Sequence, residues 1–229
     1  MLLWMMDGRA HPARELAEVA GVSPSTASGH LHRLVAAGLV ACETSGRLRL
    51  HRLASSEVAA AIEALATVAP LLPTENLRDA RRGSRLQFAR ICYSHLGGAL
   101  AVAVHRRLDA DGVLRGTGSP GAGPLIGSPL MSALGIADLG GLSGPTIRHC
   151  RDWTERTDHL AGRLGTAILQ RLLALNWIQR RRADRSVRVT DLGSTELAEL
   201  GVSAAVGDTE RAAATTVGTG RTLATWLRP

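Results

Sequence analysis

The 229 residues suffice for one or two domains of about 150 residues each, with a core that needs no disulfide staples. Hydrophobic residues make up 45%, charged residues 21% and aromatics 3%, so the core must be aliphatic, and no apolar run reaches the ~18 residues of a membrane span. All 27 basic residues are arginine and the net charge is +7; the missing lysine excludes a Walker-type phosphate loop and any Schiff-base amine, while the arginine excess suits a polyanionic partner.

The opening Met1-Leu2-Leu3-Trp4-Met5-Met6 is too short for a signal peptide. Three cysteines without an export signal point to free thiols in the cytoplasm. In chain order, Leu16, Ala17, Val19 and Ala20 recur at helical spacing and predict a helix over Ala13–Ala20. Gly21-Val22 makes a turn, and Ser23 caps a second helix with Pro24 at its first position, where no amide is missed. Gly38 ends that helix in a left-handed cap. Residues 39–43 and 47–53 flank Thr44-Ser45-Gly46 as a hairpin, which places Cys42 on a strand as a core residue. Ser55 or Ser56 opens an Ala-rich helix that stops near Pro70. Its stripe of Val58, Ile62, Leu65 and Ala66 needs a covering surface, either a second chain or its own domain. Residues 71–84 then read as a linker, with polar and charged residues and a glycine.

At about 100° per residue the second helix has two faces. Ala27, Leu31 and Leu34 fall in one narrow arc, and Ser25, Ser28, Gly29 and His32 cluster opposite. Small polar side chains are what a helix needs to enter a groove about 12 Å wide, although a solvated surface gives the same pattern.

An internal repeat follows. His95-Leu96-Gly97-Gly98-Ala99-Leu100 recurs as His159-Leu160-Ala161-Gly162-Arg163-Leu164, and the match continues through Ala103/Ala167, Arg107/Arg171, Leu108/Leu172 and Ala110/Ala174. Ser94 and Asp158 read as caps of two equivalent helices, with His95 and His159 at their N-termini. The helix ends echo the first module: Gly38, Gly112 and Asn176 follow Arg33-Leu34, Arg107-Leu108 and Arg171-Leu172 at one spacing. These residue types accept a left-handed backbone after a helix. The third copy adds a hairpin, 177–182 with 186–190, around Ala183-Asp184-Arg185, and the Gly/Pro-rich 116–129 stands where the second copy's hairpin belongs. The expected fold is mainly α with small β-hairpins. It has an N-terminal winged helix over 1–70, the linker over 71–84, and a C-terminal sensor and dimerisation domain over 85–201. That domain consists of two degenerate winged-helix-like repeats, about 85–136 and 149–201. A poorly ordered tail follows over 202–229, with a short helix near Trp226.

Glu15-Leu16-Ala17, Gly21-Val22-Ser23, Ser25, Ser28, His30-Leu31, Leu34 and Ala37-Gly38-Leu39-Val40, with the Gly46-Arg47 hairpin and the helix from Ser55, carry a family likeness. Over about residues 10–70 the chain resembles the arsenic-repressor-type (ArsR) winged-helix regulators. Residues 85–200 resemble a long subgroup of these regulators through Cys92-Tyr93-Ser94-His95-Leu96 and Cys150-Arg151-Asp152-Trp153-Thr154-Glu155-Arg156, each ahead of a helix. The resemblance implies a dimeric repressor whose affinity for double-stranded DNA is altered by an effector. By position, Ser23, Ser25, Thr26, Ser28, Gly29 and His32 would present the reading helix to DNA. Arg47 at the wing tip would meet phosphate or the minor groove, and His30 would pack or touch phosphate. The family's additional N-terminal dimer helix has no counterpart in a chain that opens almost inside the domain, which implies a late start codon or a dimer built otherwise. The family's metal sites are missing too, with no Cys pair at the reading helix and no His in the helix 56–69.

Beyond that module, Cys92, His95, Cys150 and His159 are the cluster worth arguing. Packing of the copies about a pseudo-twofold would bring two thiolates and two imidazoles together as a tetrahedral zinc-type set. Redox-active thiols, or packing around an organic-ligand pocket walled by Tyr93 and Trp153, are the other readings. Arg180, Arg181, Arg182, Arg185 and Arg188 offer either a second phosphate grip or a solvated hairpin. Gly116-Thr117-Gly118-Ser119-Pro120-Gly121 matches a dinucleotide fingerprint in letters, but Pro124, Pro129 and the missing βαβ frame make it a loop. No Gly-x-Ser-x-Gly, His-Glu-x-x-His or paired-cysteine frame is present, so no catalytic role is expected. The expectation is a homodimeric DNA-binding repressor released by a small-molecule or metal effector, zinc or another thiophilic ion among them, with no membrane partner. The alternatives are a thiol-redox or metal-responsive switch on Cys92 and Cys150, and an enzyme with a winged-helix appendage.

Overall fold

Residues 1–69, 76–114, 127–136 and 146–204 are described by a computed structural model of the chain. A 3-10 turn, Met5–Asp7, buries both methionines, and strand β1 (His11–Pro12) leads into helix α1 (Ala13–Ala20). Helix α2 (Pro24–Ala36) starts where the sequence places it: the Ser23 hydroxyl accepts the Thr26 amide at 3.2 Å, and Pro24 sits in the first turn. Strands β2 (Val40–Ser45) and β3 (Leu48–Leu53) form the hairpin, and α3 (Ser56–Val68) follows with Ser55 as its cap. The hairpin turn is Gly46-Arg47 rather than Thr44-Ser45-Gly46. Gly46 adopts φ 60° and Ser45 pairs with Leu48, giving the two-residue, glycine-first loop that matches strand twist. Cys42 is half-buried opposite His51. Strand β1 adds to the outer edge of β3; two residues are too few to show alternation in sequence. Leu16, Leu31, Val40 and Leu53 join Met5 and Met6 in the first core.

The stretch expected as a linker holds a helix from residue 77 onward. Helix α4 (Leu77–Phe88) is capped by Asn76, whose side chain accepts the Asp79 amide at 2.9 Å. Its arginines made the stretch look solvated, yet Arg82 and Arg85 lie 3.8 and 3.3 Å from the buried Asp184. Residues 70–75, the 116–121 fingerprint and the tail beyond 204 with its helix near Trp226 lie outside the described residues, as does most of the Gly/Pro-rich stretch 116–129. Helix α6 (Pro129–Leu134) follows, capped by Ser128.

The two copies are hairpin-then-helix units. Strands β4 (Arg90–Cys92) and β5 (His95–Gly97) precede α5 (Ala99–Ala110), and β6 (Arg148–Arg151) and β7 (Asp158–Ala161) precede α7 (Gly162–Ala174). His95 and His159 are therefore on strands, not at helix N-termini. The helices start after Gly98 and Ala161, and Ser94 and Asp158 cap nothing. The cross-strand pairs Cys92–His95 and Cys150–His159 hold that backbone extended. This places a hairpin ahead of each helix, which a winged-helix-like repeat does not include. Strands β8 (Ile178–Arg180) and β9 (Val187–Val189) and helix α8 (Asp191–Glu199) complete the described chain.

The shared helix endings are as expected. Gly38, Gly112 and Asn176 have φ of 70°, 78° and 57°. The next amides, of Leu39, Val113 and Trp177, donate to Leu34, Leu108 and Leu172 at 3.0, 3.0 and 2.9 Å, the six-to-one bond of a left-handed helix cap. Helix α7 packs against β5, α5 packs against β7, and β5 meets β7. That reciprocity is a local pseudo-twofold between β5 and β7. It is tight: a Cβ on Gly165 of α7 would stand 2.5 Å from the Leu160 carbonyl and 3.2 Å from His95 Cβ. Leu100, Val104, Leu108, Leu164, Ile168 and Leu172 fill the second core. No helix among the described residues is long and apolar enough to cross a membrane.

Candidate functional site

The polar face of α2 is open. Ala27 and Leu31 are buried, whereas Ser23, Ser25, Thr26, Ser28, Gly29 and His32 are exposed, as is His30 on the flank. Ser23 Oγ lies 2.9 Å from Ser25 Oγ and 2.8 Å from Thr26 Oγ1, so three hydroxyls crowd the helix N-terminus. The helix dipole there favours phosphate. A Cβ on Gly29 would meet nothing within 4 Å, so a base edge could come close. Arg47 stands exposed in the β2–β3 turn. The arginines of the last hairpin divide. Arg185 turns inward to Glu63 at 3.3 Å and to the Ile91 carbonyl at 3.0 Å, and Arg180 reaches the Asp7 carbonyl at 3.4 Å. Arg188 bonds Gln179, and Arg182 is exposed. Arg185 and Arg180 thus fasten the C-terminal hairpin to the N-terminal half, a use the charge run did not reveal.

The pseudo-twofold brings the four Cys and His residues together. One donor atom from each of Cys92, His95, Cys150 and His159 lies within 4.8 Å of all the others. The two imidazole Nε2 atoms are 3.1 Å apart. Cys92, His95 and His159 are buried and Cys150 is half-buried. The unequal sequence intervals have a simple origin. Both pairs are cross-strand neighbours, but Tyr93-Ser94 closes the first hairpin and 152–157 the second. His159 Nδ1 faces Asp152 Oδ2 at 3.2 Å. Asp152 is fully buried and accepts the amides of Gly98, Thr154 and Glu155, the Thr154 hydroxyl, and Arg90 at 2.9 Å. Burial works against its charge, yet His159, Arg90 and Thr154 hold its carboxyl far below the ordinary 3.8. Burial alone would lower His159; Asp152 and Cys92 raise it to about 9. Contact with Cys150, then burial, pushes the Cys92 thiol up to about 12.

The Cys92 thiol also donates to Glu63 Oε1 of α3 at 3.2 Å. Burial would raise the Glu63 carboxyl, but Arg90 and Arg185 hold it below its ordinary value. A cavity of about 510 Å³ opens beside the cluster, reaching Glu63, Cys92, Tyr93, His95 and Cys150. Tyr93 lines it. Trp153 does not: it is buried with Arg90 4.9 Å from its ring centre. Two soft sulfurs and two imidazole nitrogens at this spacing could hold a thiophilic cation, and the two thiols could be oxidised to a disulfide. Sequence reasoning missed Asp152, Arg90 and Glu63. Asp152 stands within the quoted Cys150–Arg156 motif, and Glu63 is one of two charges on an apolar helix, so both left a signal.

A helix-turn-helix domain family matches residues 1–43. Across 195 residues the chain is 40% identical to a Bacillus subtilis (strain 168) protein named "Uncharacterized HTH-type transcriptional regulator YdfF", covering 84% of this chain and 86% of that protein. No solved structure matches. The match extends well beyond the helix-turn-helix, over most of both proteins. This chain belongs to the family of HTH-type, DNA-binding transcriptional regulators.

Proposed function

We propose that the protein is a dimeric ArsR-type repressor that grips double-stranded DNA through α2 and the β2–β3 wing and lets go when an effector occupies its C-terminal domain. The carrying observation is the exposed Ser25, Thr26, Ser28, Gly29 and His32 face opposite buried Ala27 and Leu31, with Arg47 at the wing tip. In this reading Ser23 and Thr26 position the helix on phosphate, Ser28, Gly29 and His32 meet base edges, and Arg47 clamps the backbone. The order α1, α2, hairpin, α3 supports the ArsR assignment. Leu65 and Val68 on α3, 68% and 79% exposed, support a second chain as their cover. Val58 and Ile62 pack on their own core instead, so the dimer face is narrower than the stripe read from sequence. The cavity beside Cys92 and Cys150 supports the C-terminal half as the sensor, and the free thiols suit a cytoplasmic protein.

The test is equilibrium binding to a duplex recovered by genomic footprinting. Ser28→Ala should weaken binding to that duplex by about 1–3 kcal/mol and leave non-specific binding alone. Arg47→Ala should weaken all duplexes evenly and lower the salt slope by about 1. If Arg47→Ala changed sequence preference while Ser28→Ala did nothing, reader and clamp would be reversed.

A further inference from the structure

We propose that Cys92, His95, Cys150 and His159 bind one zinc-class divalent ion per chain, and that the contact between Cys92 and Glu63 carries its occupancy to the DNA-binding module. The ion site stands on its own geometry; only its output rests on the repressor reading above.

Metal bonds of about 2.3 Å to sulfur and 2.0 Å to imidazole set ligand separations of roughly 3.3–3.8 Å across a tetrahedron. The donor atoms here already lie within 4.8 Å of one another, and the Nε2 atoms at 3.1 Å. Two thiolates and two imidazoles with no open position make a closed, zinc-type set. The surroundings are built for it. Asp152 faces Nδ1 of His159, which leaves Nε2 to point into the cluster, the carboxylate–histidine pairing that orients metal-bound imidazoles. A fully buried carboxylate is costly unless paired, and here five donors besides His159 fix it in place. Without an ion, the two Nε2 atoms share a proton at the centre of the cluster. The ion enters from the cavity and replaces that proton and the thiol protons of Cys92 and Cys150. All three leave to solvent, and nothing is oxidised or reduced.

Loss of the Cys92 proton removes the donor of its bond to Glu63 and sets a thiolate against a carboxylate 3.2 Å away. Glu63 sits on α3, directly after the wing. The same hairpin also holds the N-terminal module through the Tyr93 amide, which donates to the Met6 carbonyl at 2.6 Å. Ion binding therefore acts on a hairpin fastened to the DNA-binding module at two points.

The experiment titrates the reduced full-length protein with Co²⁺ as a spectroscopic probe, then with Zn²⁺ against a competing chelator. One ion per chain is expected, with a tetrahedral thiolate-type cobalt spectrum that Cys92→Ser and His159→Ala abolish. Asp152→Asn should weaken retention roughly 10–100-fold. The wild-type spectrum reports thiolate ligation directly, so a ligand variant that fails to fold does not remove the test. DNA affinity should then fall roughly 5–150-fold on adding one equivalent of Zn²⁺, and Glu63→Gln should bring that ratio towards one. A folded protein that takes up no stoichiometric ion, or one that yields only a Cys92–Cys150 disulfide under oxidation, overturns the site. A bound ion with unchanged DNA affinity overturns the coupling and leaves the repressor reading standing. A bound ion in a protein that never binds DNA sinks the repressor reading and keeps the site.

Discussion

His11 is 3% exposed, yet both of its ring nitrogens face carboxylates: Nε2 lies 2.9 Å from Asp7 Oδ1 and Nδ1 3.0 Å from Glu15 Oε1. Only the imidazolium has two N–H donors to satisfy both. Burial pulls its pKa down, but Asp7 and Glu15 outweigh burial and hold it above the ordinary 6.5. Burial pushes Asp7 up, but His11 and Arg9 hold it below the ordinary 3.8. The stability from charged His11 is complete below about pH 6.5 and is lost as pH rises through its raised folded value. That from Asp7 is complete above about pH 3.8 and is lost as pH falls through its depressed value. Denaturant unfolding of wild type and His11→Asn should give a stability gap that is widest in this window and narrows in alkali. A gap that stays constant or widens as pH rises would contradict a charged His11. Residues of this kind resist reading from sequence. Cys92, His95, Cys150 and His159 stand out because rare side chains recur in a repeated motif. Glu63 looks like a solvated charge until Arg90 and Arg185, distant in sequence, are folded onto it.

Helix α2 illustrates what an element conveys locally. Its cap, its proline and its left-handed stop are written into the residues at its two ends, and its bounds follow from them; α1 stops at the left-handed Gly21, and α3 starts behind the Ser55 cap. Gly29 is the anomaly within it. A glycine inside a helix costs about 0.5–1 kcal/mol relative to alanine, and no neighbour requires its small size. Gly29→Ala should therefore raise thermal stability by about that amount, while its methyl group, on the face we propose meets DNA, weakens DNA binding. A stabilised variant that binds as tightly as wild type would remove Gly29 from the interface. The elements that escaped reading depend on distant partners. Strands of three or four residues such as β4 and β6 are too short for alternation to be read from residue type, and α4 hides its inner face because arginines on it meet Asp184.

At the scale of the molecule, two cores among the described residues meet at the Cys and His cluster. The first gathers Cys92, Tyr93 and Cys150 beside Met5, Leu16 and Leu31, and the second is built on α5, which packs against β7, and α7, which packs against β5. The repeat was legible because identical helix endings leave a local signature at Gly38, Gly112 and Asn176. The crossing of the copies was not, because it depends on close approach at Gly165, which no spacing encodes. In the proposed dimer each chain reads one half-site with α2, so that two chains read two half-sites together. Selection of duplexes from a random-sequence pool by the full-length protein tests this most directly. The account predicts enrichment of a pseudo-palindrome whose half-site centres lie about 10 base pairs, or a multiple of that, apart, with the enrichment lost in Ser28→Ala. Recovery of no preferred sequence, or of a single unpaired half-site that Ser28→Ala still selects, would contradict it.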